Sequence, residues 1–163
     1  MTEVTPSAQS AWRTAPVSMA GATVFGIGHL PGGPGTYAAA LWVPAAVWAS
    51  GHSVALRLVA WGLLVAVSTL WARRAGRALG EPDSRRIVID EVVGVWTALL
   101  PFSVLSWPAA VVGFIAFRIL DIVKTPLGRR LDAHAAGGWS VIADDIVAGL
   151  WAIPFVAFVQ WVL

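Results

Sequence analysis

Long apolar runs make up most of this chain, and five of its nine acidic residues lie at the edges of those runs. The runs extend over about 37–50, 54–72, 87–107, 109–120 and 146–163. The five edge acids are Asp90, Glu91, Asp121, Asp144 and Asp145. An ionisable side chain at the margin of a membrane helix is costly unless it is paired, hydrated or bound to a cation. The pattern therefore predicts apolar helices that hold a functional group of acids at their ends.

The composition indicates that the solvent around these helices is lipid. Hydrophobic residues make up 58% and charged residues 12% of the chain, against about 45–50% and about 25% in soluble domains. Several runs are shorter than the roughly 20 residues of a perpendicular membrane span. We therefore expect an all-α fold, a small polytopic membrane bundle of four to five short transmembrane or interfacial helices. Residues 1–22 are expected to form a flexible leader, followed by one membrane-embedded domain at 23–163.

Residue types that are missing or scarce exclude several functions. Without cysteine the chain has no disulfide, no thiolate metal site and no cysteinyl-phosphate chemistry, so a nucleophile has to be oxygen. A net charge of +2 is too small to indicate a nucleic-acid partner. The Ser-Gly-His sequence at 50–52 also occurs in histidine-dependent lipid phosphatases, but the other motifs of that class are missing. A simple turn is the better interpretation.

Positive charge is concentrated in two long segments, 73–86 and 118–141. The first holds Arg73, Arg74, Arg77, Arg85 and Arg86, and the second holds Arg118, Lys124, Arg129 and Arg130. Because segments rich in Lys and Arg generally face the cytoplasm, the short breaks at 51–53 and 106–108 are expected to face outward. This orientation brings all five edge acids to the cytoplasmic ends of three helices. One site can then be built from them.

The first acid motif opens the third run, with Asp90 and Glu91 followed by Gly94. Adjacent helical residues point about 100° apart, so the two acids cannot face one point squarely, although both can flank a cation. Gly94 permits the close approach of another backbone. The alternative is an acid pair favoured only by the dipole of the helix N-terminus.

The second motif closes the fourth run, where Arg118, Asp121 and Lys124 recur at every third position. They share one helical face, which puts two cations around one carboxylate. A structural ladder of ion pairs is the alternative. The third motif is a Gly-Gly turn at 137–138 followed by Asp144 and Asp145, and its alternative is a capped helix end. Together the motifs supply hard oxygen ligands for Mg²⁺ beside cations suited to phosphate.

A glycine-rich segment at 26–36 precedes these motifs, and its glycines and prolines predict a fixed irregular loop. With this loop the motifs resemble the phosphatidylglycerophosphatase A family of bacterial membrane enzymes. The matching stretches are 25–28 with 34–36, 89–96, 117–124 and 137–149, in family order. The family usually has Lys-Pro-x-Pro where this chain reads Lys-Thr-Pro-Leu at 124–127. That departure leaves the acids and cations in place.

The resemblance implies a Mg²⁺-dependent hydrolase that converts phosphatidylglycerophosphate to phosphatidylglycerol at the bacterial inner membrane, with its site facing the cytoplasm and membrane lipids around it. The expected metal ligands are Asp90, Glu91, Asp121, Asp144 and Asp145, and among these Asp121, Asp145 and Glu91 are the expected catalytic residues. The expected phosphate-binding residues are Arg118 and Lys124, with Gly33, Gly35 and Thr36 forming an anion nest. A tight re-entrant or interfacial turn is the alternative for the loop.

Other mechanisms and functions stay open from the sequence. Water is the expected nucleophile and an aspartyl phosphate is the alternative, although the signature of aspartate-nucleophile phosphatases is absent. A small transporter or cation-binding channel-like protein is the competing function, because acids at helix ends can bind a permeating cation. A purely structural subunit leaves three separate acid motifs unexplained. The sequence does not determine the oligomeric state.

Overall fold

The structure is a computed structural model, and it describes residues 8–82, 84–123 and 138–163. Within these ranges it contains seven α-helices and no strand, which confirms the all-α prediction. The helices are α1 (Ala8–Thr14), α2 (Pro16–Ala22), α3 (Pro34–Ser50), α4 (Val54–Leu79), α5 (Ile89–Leu99), α6 (Trp107–Val123) and α7 (Gly138–Val162). Of these, α4 and α7 are long and apolar enough to cross a membrane.

Helix α4 continues beyond its apolar run, from residue 72 to Leu79. Arg73, Arg74 and Arg77 therefore lie on the last turns of a helix, and the prediction that they belong to a loop is wrong. The helix ends at Gly80, whose φ of 71° is left-handed. Glycine adopts that conformation without steric cost, which is why it commonly terminates helices.

Helix α5 is the short, buried centre of the bundle. All of its residues except Glu91 are buried, and it packs against α3, α4, α6 and α7. The apolar run at 87–107 predicts a longer helix that breaks at Trp107, but α5 ends at Leu99. Pro101 follows and has no N–H to continue the hydrogen-bond ladder. The resulting 11 residues extend about 16 Å, too little to cross a hydrocarbon core of about 30 Å.

Two glycines let α5 and α7 approach closely. A Cβ at Gly94 would overlap the Phe117 ring and lie 2.9 Å from the carbonyl oxygen of Asp145. A Cβ at Gly149 would in turn overlap the carbonyl oxygen of Gly94. Small residues at such a contact bring two helix backbones together. The prediction that Gly94 permits a close backbone is confirmed, and the contact places Asp145 beside the first turn of α5.

Residues 8–22, part of the segment expected to form a flexible leader, contain two helices. Residues 8–14 and 16–22 form α1 and α2, and both helices pack against α4. Pro16 begins α2, where its fixed φ suits the first turn and its missing N–H costs nothing. The two helices bury Ala11, Met19 and Ala22. These apolar side chains bring the segment into contact with the hydrophobic core.

At the end of the bundle where α4 begins, a buried arginine fixes the connection between α5 and α6. Arg57 is only 3% exposed. Its Nη1 donates to the carbonyl oxygens of Leu100 at 2.7 Å and Phe102 at 2.6 Å. Its Nη2 donates to the Ser103 hydroxyl at 2.9 Å. We call this region, with residues 50–53, 100–106 and Gln160, the Arg57 end.

Further hydrogen bonds join the helices at the Arg57 end. The Ser50 hydroxyl accepts from the Leu105 N–H at 2.9 Å, and the Gln160 side-chain oxygen accepts from the Ser106 N–H at 3.1 Å. Ser53 accepts from an N–H in the first turn of α4, so the segment 51–53 is a capped turn. The interpretation of the Ser-Gly-His sequence as a turn is confirmed.

Candidate active site

Three carboxyl groups converge at the opposite end of the bundle. Asp90 and Glu91 lie in the first turn of α5, and Asp145 lies on α7. One oxygen of each lies within 4.8 Å of an oxygen of the other two. Asp90 is 9% and Asp145 6% exposed, while Glu91 is half-buried. We call these three residues the carboxylate cluster, and they come from two of the three predicted acid motifs.

The cluster concentrates like charge where water is scarce. Among the described residues, Asp90 Oδ1, Glu91 Oε2 and Asp145 Oδ2 are buried and have no hydrogen-bond partner. Burial, and then the neighbouring carboxyl groups of Glu91 and Asp145, raise the pKa of Asp90 well above its ordinary value. Buried polar atoms without partners are rare in proteins and call for an explanation. A bound cation would remove both the repulsion and the unmet hydrogen-bonding capacity.

Arg118 connects the cluster to the fourth apolar run. Its Nη1 lies 2.5 Å from Asp121 Oδ2 and 3.8 Å from Glu91 Oε1. The pairing of Arg118 with Asp121 on one face of α6 is therefore confirmed. Arg118 is also largely buried, with 15% of its side chain exposed. The guanidinium sets positive charge beside Asp121, Glu91 and Asp145. Its Nε has no partner among the described residues, which leaves a donor for an anion.

The glycine-rich loop lies against the same cluster. A Cβ at Gly35 would overlap the carboxylate of Glu91, so the first turn of α3 abuts that side chain. Gly33 is the N-cap residue of α3 and has no side-chain cap, and Thr36 follows in the first turn. Backbone N–H groups at the start of a helix lack intrahelical partners and attract anions. The prediction of an irregular loop at 26–36 holds for residue 26 and residues 30–33, whereas Ile27–His29 form a short 3₁₀ helix and 34–36 belong to the first turn of α3.

The donor set of the cluster fits a hard divalent cation. Carboxylate oxygens are the ligands that Mg²⁺ and Ca²⁺ prefer, and Mg²⁺ commonly takes one or two of them together with water. Asp90, Glu91 and Asp145 offer such oxygens, and three of their oxygens lack any other partner among the described residues. These residues could therefore hold a metal ion.

Other predicted site residues are placed differently. Asp121 faces Arg118 and lies outside the group of three, and Asp144 is half-buried on α7 beside Asp145. Both interact electrostatically with Asp145. Lys124 and Gly137 lie outside the described residues. The metal-binding roles of Asp121 and Asp144 and the phosphate-binding role of Lys124 stay predictions.

Comparison with known proteins identifies the family to which this chain belongs. The sequence model of the family described as phosphatidylglycerophosphatase A matches residues 20–160. The chain belongs to the phosphatidylglycerophosphatase A family. Membership makes it an enzyme, a hydrolase of phosphoric monoesters. No solved structure gives a significant match to the chain.

Three bacterial relatives are similar to the chain, and two of them carry the name of this family. A Bacteroides thetaiotaomicron protein named putative phosphatidylinositol-3-phosphatase is 33% identical over 147 residues, which cover 86% of this chain and 92% of the relative. Phosphatidylglycerophosphatase A of Escherichia coli is 30% identical over 95 residues, or 58% of this chain and 55% of the relative. The Haemophilus influenzae protein of the same name is 29% identical over 141 residues, or 85% of this chain and 86% of the relative.

Sequence reasoning about this family member missed one role within the site. Gly35 was predicted to bind phosphate through its N–H, but the structure also makes it the residue whose missing side chain admits Glu91. A glycine directly after the proline that begins a helix is a weak sequence signal. Only the contact between α3 and α5 reveals why a larger residue would displace the acid.

Proposed function

We propose that this family member is a membrane phosphatase that hydrolyses the terminal phosphomonoester of phosphatidylglycerophosphate with Mg²⁺ as its cofactor. The products are phosphatidylglycerol and inorganic phosphate. One observation carries the proposal: buried carboxylate oxygens without partners in the described structure lie beside the Arg118 guanidinium. Such an arrangement suits a divalent cation and a phosphate group at adjacent positions. Two relatives carry the name of this activity.

In the proposed complex, Arg118 binds the phosphate and neutralises charge that develops on it. Its guanidinium is fixed by Asp121, so its donors are already oriented when substrate arrives. The N–H groups of Gly35 and Thr36, at the start of α3, are the proposed second contact, and Lys124 is the proposed third. Each group favours a dianionic phosphate over a neutral headgroup.

The proposed reaction is a direct hydrolysis. Water attacks phosphorus, the ester P–O bond breaks, and the leaving oxygen takes a proton to become a hydroxyl of phosphatidylglycerol. A bound Mg²⁺ supplies Lewis-acid polarisation of the phosphoryl group and makes water easier to deprotonate. Asp90, Glu91 and Asp145 would hold the metal, with Asp144 beside them. Asp121, outside the three-acid cluster and held by Arg118, is the proposed acceptor of the proton from water.

We also propose that α3, α4, α6 and α7 all cross the inner membrane, as parts of one domain whose site faces the cytoplasm. Trp139 and Trp161, near the two ends of α7, are 54% and 81% exposed. Their separation of 22 residues corresponds to about 33 Å along a helix, close to the thickness of a hydrocarbon core. Exposed tryptophans at both ends of an apolar helix suit the two membrane interfaces.

The test of the activity is phosphate release by the purified protein in detergent, with Mg²⁺ or with EDTA. Phosphatidylglycerophosphate and phosphatidylinositol 3-phosphate are compared, because one relative is named for the second lipid. Preferential hydrolysis of phosphatidylglycerophosphate supports the proposal. Preferential hydrolysis of phosphatidylinositol 3-phosphate would make that lipid the substrate in place of the proposed one. No phosphate release from either lipid would favour the transporter interpretation.

The proposed orientation is tested by cysteine labelling, since the chain has no natural cysteine. Ser53→Cys at the Arg57 end and Glu81→Cys at the carboxylate end introduce thiols at exposed positions. On intact cells, a membrane-impermeant thiol reagent should label the Ser53→Cys protein and not the Glu81→Cys protein. The reverse pattern would put the carboxylate cluster outside the cell.

A further inference from the structure

A strained turn near the candidate site exposes an aromatic side chain. After α2 the N–H of Phe25 donates to Ala20 O at 2.7 Å and the N–H of Val24 donates to Gly21 O at 3.1 Å. These two bonds define a Schellman motif, in which the penultimate position is usually glycine because its φ is positive. Here Val24 and Phe25 have φ values of 46° and 55°. Neither residue adopts this conformation without strain.

The side chain of Phe25 departs from the usual pattern of that motif. The residue in its position commonly folds back onto the last turns of the helix, which buries it. Phe25 is instead 90% exposed. Thr23 stabilises the backbone beneath it, because its hydroxyl donates to Met19 O at 2.7 Å and accepts from the Gly26 N–H at 3.0 Å. The turn is thus built to hold an apolar ring away from the protein.

Exposed apolar and basic residues lie near Phe25 in the sequence or are joined to its turn by a backbone contact. Val17 and Leu30, on either side in sequence, are 70% and 49% exposed. Gly28 lies against the backbone of Arg86, and Arg85 and Arg86 are both exposed. An apolar surface bordered by arginines matches the interface of an anionic lipid leaflet, where apolar groups meet the acyl chains and cations meet phosphates.

We propose that residues 24–30, which we call the Phe25 turn, insert into the headgroup boundary of an anionic leaflet beside the active site. Insertion of about 5–10 Å is typical of such interfacial segments. Five residues beyond the turn, Gly35 abuts Glu91 of the carboxylate cluster. The inserted turn would therefore fix the depth at which the cluster meets a lipid phosphate. The proposal depends on the membrane location given above and not on the reaction.

Spin labelling measures this depth directly. Phe25→Cys and, as a control, Glu81→Cys are labelled with a nitroxide and reconstituted into nanodiscs that contain phosphatidylglycerol. Collisions with oxygen, which concentrates in lipid, are compared with collisions with a water-soluble nickel chelate. The expected result is a shift toward oxygen at position 25 relative to position 81. Equal ratios would overturn the proposal, and protection of position 25 from both reagents would instead indicate contact with a second protein copy.

Two further variants keep the test separate from folding and from catalysis. The same label in an Asp145→Asn background should report the same depth, even if the enzyme is inactive. Phe25→Gly should retain or raise the melting temperature in detergent, because glycine relieves the left-handed strain. A lowered melting temperature would mean that the ring supports the fold, and the anchoring role would be wrong.

Discussion

The two ends of the helix bundle bury charge to a similar degree and treat it in opposite ways. Arg57 is 3% exposed and makes three hydrogen bonds, so that only its Nε lacks a partner among the described residues. Asp145 is 6% exposed. Even so, one carboxylate oxygen each of Asp145, Asp90 and Glu91 has no hydrogen-bond partner among the described residues.

This difference separates a structural polar group from a functional one. A buried charge that is hydrogen-bonded through most of its donors, as Arg57 is, fixes the geometry around it. A group of buried like charges destabilises the fold unless something else binds it. The Arg57 end therefore has a structural role, and the carboxylate end has the properties of a binding site. The following predictions test that contrast, beginning with the largest expected effect on turnover.

Removal of divalent metal should abolish turnover. EDTA is expected to eliminate phosphate release, and Mg²⁺ should restore it, whereas Ca²⁺ should restore it poorly because its coordination is larger and looser. Binding to the folded state alone also raises stability, so Mg²⁺ should increase the melting temperature. That increase should be lost in Asp145→Asn and kept in Glu81→Gln, which alters an exposed acid. Full turnover in metal-free buffer would contradict the site.

Asp145→Asn should reduce turnover by about a hundredfold or more, the loss common for a positioned electrostatic or acid–base group. Asp121→Asn should have a similar effect. Because Asp145→Asn removes one of three crowded buried charges, its melting temperature without metal should not fall. Phosphate release and thermal unfolding are measured on the same preparations. A folded Asp145→Asn enzyme with normal turnover would show that the cluster is not catalytic.

Gly35→Ala should reduce turnover by about tenfold or more, because the new methyl group displaces the Glu91 carboxylate and small misplacements in a site are costly. Gly62→Ala is the matched control, since a Cβ there meets nothing within 4 Å. If both variants keep normal turnover, the contact between α3 and Glu91 does not position the site. The comparison uses kinetic constants at saturating Mg²⁺.

Arg57→Met should have the smallest effect on turnover and a clear effect on stability. The change leaves the carbonyl oxygens of Leu100 and Phe102 without a donor, which costs about 1–3 kcal/mol for each buried unsatisfied group. The melting temperature in detergent should fall while folded enzyme keeps its turnover. Arg73→Met, which replaces an exposed arginine, is the control. If Arg57→Met lost turnover while keeping its melting temperature, the Arg57 end would have a functional role and would not differ from the carboxylate end as proposed.

The sequence by itself determined where four of the helices lie and which end of the bundle carries the chemistry. Four of its apolar runs lie within α3, α4, α6 and α7, although α4 extends past its run to Leu79 and α7 begins before its run, at Gly138. The periodic placement of Arg118 and Asp121 predicted their ion pair, because a helix fixes the relation of residues three apart. Four motifs in order also indicated the family that the comparison then established.

Only the tertiary structure decided which acids meet. Asp145 joins Asp90 and Glu91 because Gly94 and Gly149 bring α5 and α7 into contact, a property of two helices that neither sequence segment contains alone. The same limit applies to Arg57, which no sequence motif singles out but which bonds to residues 43 to 46 positions away. Local patterns determine helices because helical hydrogen bonds are local. The packing between helices determines the site, because its distances depend on contacts between distant parts of the chain.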